Sequence, residues 1–334
     1  MIITPNKKMS TDTIEYKLRY VMNSGHKGLI RAISIDPSKN PKYYVTGSDD
    51  ATLRIWSTKK IKDTTSDSKH YQALLKGGHQ MPVTDVLISR HHPNEVFSAS
   101  EDKLALKWDL NTRTVVNQFF GHFAGVTSID LHPSIPDLLF TGSKDKTSRM
   151  WDSRTKHKSI MTFSGHKDAV NKVLCFNTDP QLITCSSDKT IRFFDLRYST
   201  KCTKIIDYHT TPIRTMCRGS DMEGDAIITG SATQIYSWSQ KDASPLTEFN
   251  VENLSVVNSM NVINNGKTLQ VDTNQGIKNY NYFTGEPIIS NFSNDDNSQN
   301  VACSAFSKSL KYEDLNEKSV MIAGSEKLIK IYTC

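Results

Sequence analysis

Glycine-rich phosphate motifs, Cys-x-x-Cys pairs, long apolar runs and a sustained 3.6-residue period are all missing from this chain. The first absence removes the loops that cradle nucleotide phosphates. The six cysteines are Cys175, Cys185, Cys202, Cys217, Cys303 and Cys334, and several sit inside apolar stretches. They read as reduced, mostly buried thiols of a cytosolic or nuclear protein, not as a disulfide framework or a zinc site. No segment approaches the roughly 20 apolar residues that span a bilayer. The first residues, MIITPNKKMS, lack the apolar core of a secretory signal, which predicts a soluble intracellular protein. Lys7-Lys8 is too short to serve as a targeting signal. His91-His92 has no third ligand near it in the chain, so it reads as a solvated loop.

What is present is ordinary in amount. Hydrophobic residues make up 37% and charged residues 23% of 334, enough for a sizeable core. Net charge is +6, from 41 basic and 35 acidic residues. That permits acidic or nucleic-acid partners without requiring them.

What is distinctive is repetition. GSDDATLRIW (47–56), SASEDKLALKW (98–108), TGSKDKTSRMW (141–151) and TCSSDKTIRFFD (184–195) each place an Asp six residues before an aromatic. Upstream of each lies Gly-His, with an aliphatic residue four positions later: His26 with Ile30, His79 with Val83, His122 with Val126, His166 with Val170. A fifth copy runs from His209 to Trp238. The intervals between successive His residues are 53, 43, 44 and 43. Asn253 and Asn297 keep the period without the imidazole, and those units close at Tyr280 and Tyr332. A period of about 40–45 residues with these signatures marks WD repeats.

Each unit divides into four short runs rich in β-branched and aromatic residues and bounded by turn formers, as in VTSIDLHP, DLLFTGS, TSRMWDS and KSIMTF. The expected fold is therefore all-β, a seven-bladed propeller over residues 16–334 preceded by a short tail, 1–15. The last unit ends after its third strand, at IKIYTC. YKLRYVM (16–22) is expected to supply the missing strand and shut the ring. Two polar stretches, KKIKDTTSDSKH (59–70) and SKSLKYEDLNEKS (307–319), exceed the template and read as long loops on one face.

The recurring His, hydroxyl and Asp could form a catalytic triad or a structural network. Recurrence at one register favours structure, because a hydrolytic site occurs once and needs an oxyanion hole and a cleft. The expected tetrads are His26, Thr46, Asp50, Trp56; His79, Ser98, Asp102, Trp108; and His122, Thr141, Asp145, Trp151. His166, Thr184 and Asp188 form a set without the indole, since Phe194 replaces it. The fifth unit keeps Thr229 and Trp238, but its shorter turn (Ala232, Thr233) has no Asp. Asn274 and Glu326 stand at the Asp position in the last two units. No catalytic, cofactor or metal residue is assigned.

Within the WD-repeat class, RMWDSRTK (149–156) and TDPQLITCSSDKTIRFFDLRYSTK (178–201), with RAISIDPSKN (31–40) and FSASEDKLALKWDL (97–110), resemble the pleiotropic regulator family. The likeness is strong in repeats one to four and weak in six and seven. The resemblance implies a nuclear scaffold of activated and catalytic spliceosomes, within the Prp-nineteen-associated (NineTeen) complex. Family members usually carry a long polar N-terminal extension. About fifteen residues precede the first strand here, so contacts made by that extension are either not carried over or have moved onto the propeller.

A propeller without a catalytic constellation is most simply a platform. Lys27, Met81, Phe123 and Lys167 follow the His positions. Asp49, Glu101, Lys144 and Ser187 precede the Asp positions, so all eight are expected on one face. Phe123 and Met81 suit the core of an interface. Arg154 and Arg197, in WDSR and FDLR, resemble a motif of cullin ubiquitin-ligase substrate receptors, which is the alternative reading. Pre-mRNA or small nuclear RNA contact by the basic surface is a third, and predicts steep salt dependence. No membrane, small-molecule substrate or cofactor is expected.

Overall fold

A computed structural model describes residues 13–38, 41–58, 72–155, 158–178, 181–197, 200–221, 224–251, 256–263, 266–292, 301–307, 320–324 and 328–333. There is no α-helix among them, and so none long and apolar enough to cross a membrane. The loop at 59–70, the insert at 308–319, Lys7-Lys8, Asn253, Asn297, Glu326 and Cys334 lie outside the described residues.

The strands fall into consecutive quartets. Five are separate four-stranded sheets, with first strands Ile30–Ile35, Val83–Ile88, Val126–Leu131, Val170–Cys175 and Ile213–Asp221. An eight-stranded sheet holds the rest. Val257–Ile263, Thr268–Thr273, Gly276–Asn281 and Pro287–Phe292 form a sixth quartet. Cys303–Ser307, Val320–Gly324, Leu328–Thr333 and Thr13–Asn23 form a seventh. The strand Thr13–Asn23 begins three residues before Tyr16 and pairs twice. Thr13 to Tyr16 run parallel to Ile289–Phe292, and Lys17 to Asn23 run antiparallel to Thr333–Leu328.

Burial explains the layering. Second strands such as Leu138–Ser143 are buried on both faces, as in sheets covered on both sides. Outer strands such as Thr114–Phe119 alternate between exposed and buried positions, the mark of one wet face. Apolar clusters lie between neighbouring quartets. One joins Leu139 and Trp151 to Phe97, and another joins Phe194 and Val173 to Phe140. The first and last quartets also meet: Ile30, Tyr44 and Trp56 cluster with Cys303, Ile322 and Ile331. These all-β, stacked four-stranded sheets are the architecture of a β-propeller.

A register slip recurs just after the aliphatic residue that starts the first strand, as between Val126 and Ser128. The same slip follows Ile30, Val83, Val170, Ile213 and Val257. Such a bulge re-aims one side chain. Here it turns that residue toward the next quartet. Thr84 donates to Val126 O at 2.6 Å, Thr127 to Val170 O at 2.5 Å, Asn171 to Ile213 O at 2.6 Å, and Asn258 to Val301 O at 2.8 Å.

Candidate interaction faces and the networks that position them

His26, Thr46, Asp50 and Trp56 are one of the tetrads expected from the sequence. The fold brings them together: His26 Nδ1 lies 2.9 Å from Asp50, its Nε2 lies 2.9 Å from Thr46 Oγ1, and Trp56 Nε1 donates to the same hydroxyl at 3.0 Å. His79 reaches Asp102 and Ser98 at 2.8 Å each, and Trp108 donates to Ser98 at 2.8 Å. His122 reaches Asp145 at 2.7 Å and Thr141 at 2.8 Å, with Trp151 on Thr141 at 2.9 Å. His166 meets Asp188 at 2.9 Å and Thr184 at 2.8 Å, and Phe194 fills the indole position with carbon alone.

One proton arrangement satisfies all of these contacts. Nδ1–H donates to the carboxylate, the hydroxyl donates to Nε2, and the indole donates to the hydroxyl oxygen. The imidazole is then neutral. Burial lowers the His26 and His166 pKa values, against the pull of Asp50 and Asp188. Burial alone would raise the Asp50 pKa, but hydrogen bonds from His26, Thr52 and the Lys27 amide carry it well below the usual carboxylate range. Asp145 and Asp188 behave likewise. Thr46, Ser98, Thr141 and Thr184 are completely buried. Thr46, Ser98 and Thr141 each meet an imidazole and accept from an indole, and Thr184 meets His166, so each hydroxyl is engaged inside the protein and none is presented to a substrate.

Two parts of these networks were not read from the sequence. Thr52, Thr147 and Thr190 each donate to the Asp two residues earlier, at 2.6, 2.6 and 2.7 Å. The signal was the residue two places after each Asp, where a hydroxyl can close an Asx-type turn. In the fifth quartet Gln234 supplies an acceptor where no Asp exists. Its Oε1 takes the Thr210 amide at 2.9 Å, the role Asp50 plays for Lys27. His209 keeps Thr229 at 2.9 Å, and Trp238 donates to Thr229 at 2.8 Å. Nδ1 of His209 has no partner, and burial lowers its pKa to about 4.

The sixth and seventh quartets hold a different network. Asp272 is fully buried and accepts hydrogen bonds from Ser259, from Ser304 at 2.5 Å and from Gln270 at 3.0 Å. Gln270 also donates to Ser304 at 2.9 Å and accepts from Tyr16 OH at 3.2 Å. Asn279 donates to Tyr16 OH at 3.0 Å. The chain thus joins the sixth quartet, the first strand of the seventh, and the strand Thr13–Asn23. Burial raises the Asp272 pKa more than its hydroxyl and amide donors lower it. Asn274 lies nearby in the turn, where it accepts from Asn258 at 2.9 Å.

The face carrying the His loops and Asp turns presents the expected side chains. Phe123 is 81% exposed and Met81 49%, so neither is packed into a neighbouring sheet. Arg149 lies 5.9 Å from the Phe123 ring centroid. Lys27, Lys144 and Lys167 are exposed, and Lys144 pairs with Glu101 at 2.6 Å. Asp49 pairs with Arg31, and Ser187 accepts from Asn171 at 2.9 Å. Arg154 and Arg197 lie past the third strands of their quartets and pair with Asp152 and Asp195 at 2.7 and 2.9 Å.

His92 has a different neighbourhood from the one its sequence suggests. Folding brings Glu95 and Asp137 to it, with ligand atoms within 4.8 Å of one another. The chain neighbours offered no third ligand because Asp137 comes from the next quartet. Lys107 already pairs with both acids, at 2.8 Å from Glu95 and 3.7 Å from Asp137. The cysteines among the described residues are unbridged. Burial pushes the Cys185 and Cys217 thiols up to about 12, which leaves them unreactive.

Comparison with known proteins agrees with this geometry. A family profile described as WD domain, G-beta repeat matches residues 17–57, 113–152 and 157–195. Pre-mRNA-splicing factor PRP46 of Candida albicans is 38% identical over 96 residues, 29% of this chain and 22% of that protein. Its namesake in Saccharomyces cerevisiae is 39% identical over 87 residues, 25% of this chain and 16% of that protein. The small ribosomal subunit protein RACK1 of Dictyostelium discoideum is 34% identical over 86 residues, 26% of this chain and 25% of that one. The matched part thus spans at most about a quarter of these relatives' length.

Proposed function

We propose that this chain, which carries WD repeats over residues 17–57, 113–152 and 157–195, serves as a non-enzymatic scaffold in pre-mRNA splicing. The observation that carries the proposal is the likeness of part of the chain to splicing factors named PRP46 in two yeasts. The recurrent His–Asp–hydroxyl sets support a role without turnover, since their hydrogen-bonding capacity is spent inside the fold. The working part is then a surface. We infer a closed ring of seven blades, with the quartets in chain order and Thr13–Asn23 as the strand that shuts it.

The proposed site of action is the nucleus, with proteins of the NineTeen complex as partners. Phe123 and Met81 would anchor a partner, and Lys27, Lys144 and Lys167 would form a charged rim. RNA would be touched, if at all, within that assembly. Arg154 and Arg197 are each tied to a local carboxylate, which weakens the cullin-ligase alternative.

Affinity purification of the full chain from nuclear extract, followed by mass spectrometry and RNA analysis, tests the proposal. Splicing factors and small nuclear RNAs are the expected recovery. A ligase adaptor recovered in their place, and lost on Arg154→Ala with Arg197→Ala, would replace splicing with ubiquitin transfer. A Phe123→Ala chain should recover less of the direct partner while melting as before.

A further inference from the structure

The axis of the molecule is charged, and its charges do not cancel. A cavity of about 580 Å³ runs between the first strands of the quartets. Arg31, Arg90, Lys172, Arg214 and Arg218 line it, against only Asp85 and Asp130. Three of the cations are paired. Lys172 reaches across from the fourth quartet to Asp85 of the second at 2.7 Å, Arg218 reaches from the fifth to Asp130 of the third, and Arg31 pairs with Asp49. Arg90 and Arg214 have no hydrogen-bond or ion-pair partner among the described residues.

Arg214 marks a break in the inter-quartet pattern. It occupies the bulge position from which Thr84, Thr127, Asn171 and Asn258 each bond the next quartet's carbonyl. It also lines the wider opening of about 800 Å³ on the side of the His loops. Arg90 lies two residues past the strand Val83–Ile88, at the other end of the axis.

That far end has a built anchor. Arg218 donates to Asp130 and, at 2.6 Å, to Cys175 O, and its guanidinium lies 5.3 Å from the Phe176 ring centroid. Asp130 is also committed to the Cys175 amide at 2.8 Å and the Leu131 amide at 3.0 Å. One carboxylate therefore stands beside two guanidiniums. The Arg90 side chain is exposed within the channel, and desolvation by the surrounding protein and the charge of Arg218 lower its pKa against the opposing pull of Asp130. A cation held beside another in a low-dielectric cleft focuses positive potential. The guanidinium fork matches phosphate oxygens two at a time.

We propose that the end of the channel remote from the His loops binds a phosphate-type anion, held between the unpaired Arg90 and the anchored Arg218. The anchored side chain fixes the geometry, and the free one supplies the uncompensated charge. This site is independent of the splicing role and of the Phe123 face.

The test uses the full chain and pyrophosphate as probe, by titration calorimetry and thermal melting, with chloride added to match ionic strength. Wild type should bind and melt at higher temperature in pyrophosphate. Arg90→Gln should lose at least tenfold in affinity while melting no lower than wild type without the anion. Arg90→Lys should fall between them, and Lys103→Gln, on an exposed turn, should match wild type. A phosphoserine tripeptide, Gly-pSer-Gly, distinguishes the source. Tighter binding than pyrophosphate, lost in Arg90→Gln, places the phosphate on a protein, and weaker binding makes it a free anion. Absence of pyrophosphate and tripeptide binding, or equal affinity in Arg90→Gln, overturns the site. If Arg90→Gln does not fold, an Arg90→Lys chain that binds as wild type does overturns it equally.

Discussion

In the third quartet Gly142 lies against the next sheet so closely that a Cβ there would sit 2.9 Å from Val170 and 3.0 Å from Val173. In the sixth quartet the matching position is Asp272, and the residue matching Val173 is Ser304. Phe140 is likewise matched by Gln270, and Met150 by Asn279. One junction fits a missing side chain to a valine; the other fits a buried carboxylate to a hydroxyl. The apolar clusters follow suit. The cluster at the sixth–seventh junction holds five buried residues among those described, where the others hold eight to twelve. Polar and apolar solutions thus occupy one backbone register. What must be kept is complementarity across the junction, not the identity of either side.

The strand Thr13–Asn23 gives the comparison its largest test. Removing residues 1–22 strips the outer strand from the seventh quartet, the parallel cover from the sixth, and Tyr16 from the polar network. The expected result is aggregation or early melting, read by light scattering and circular dichroism, because two sheet edges are laid bare. Normal behaviour of that chain would refute closure by this strand.

Next in size is the Asp272–Ser304 pair. Asp272→Gly leaves Ser259, Ser304 and Gln270 without their acceptor and should cost about 3 kcal/mol in denaturant unfolding. Asp272→Gly with Ser304→Val recreates the chemistry of the Gly142–Val173 contact. The double change should cost less than the sum of the singles, and strict additivity would argue against a shared junction.

His122→Ala tests the other side of the comparison. It orphans Asp145 and Thr141 and should cost about 1–3 kcal/mol without abolishing any turnover. An unchanged melting temperature would sink the structural role of that tetrad.

The smallest effect is one of pH, and its sign differs between the two regions. Asp145 has a folded pKa below its unfolded value, so its contribution is present above about pH 4 and is lost as pH falls toward the folded pKa. Asp272 has a folded pKa above its unfolded value, so its contribution is present below about pH 4 and is lost as pH rises through the folded pKa. The melting advantage of wild type over Asp145→Asn should therefore shrink on acidification below about pH 4. The advantage over Asp272→Asn should grow as pH falls from 7 toward 4. Parallel trends would contradict the assigned environments.

These differences also separate what could be read in the sequence from what could not. His26, Asp50 and Trp56 were legible because each residue type recurs at a fixed offset, and a buried imidazole needs partners whatever surrounds it. Gln234 was not legible, since its turn is one residue shorter and its amide does the work of a carboxylate from another offset. Asp272 was hidden for a deeper reason. Alignment to the repeat places it on a glycine, so it looks like erosion of a pattern. Its partner Ser304 is 32 positions away, and Tyr16, which bonds the neighbouring Gln270, is 254 positions from that residue, so neither stands in a periodic relation to it. The charges at the axis were obscure likewise, because Lys172 and Asp85 meet across two quartets, 87 residues apart.

A strand that pairs with both the sixth and seventh quartets also sets an order of events during synthesis. Thr13–Asn23 leaves the ribosome early, and its antiparallel partner Leu328–Thr333 leaves late. For the tens of seconds between, the early strand has no mate and the growing stack has two raw ends. Such a long wait favours a bound chaperone, or a borrowed strand from another nascent chain, as a temporary stand-in.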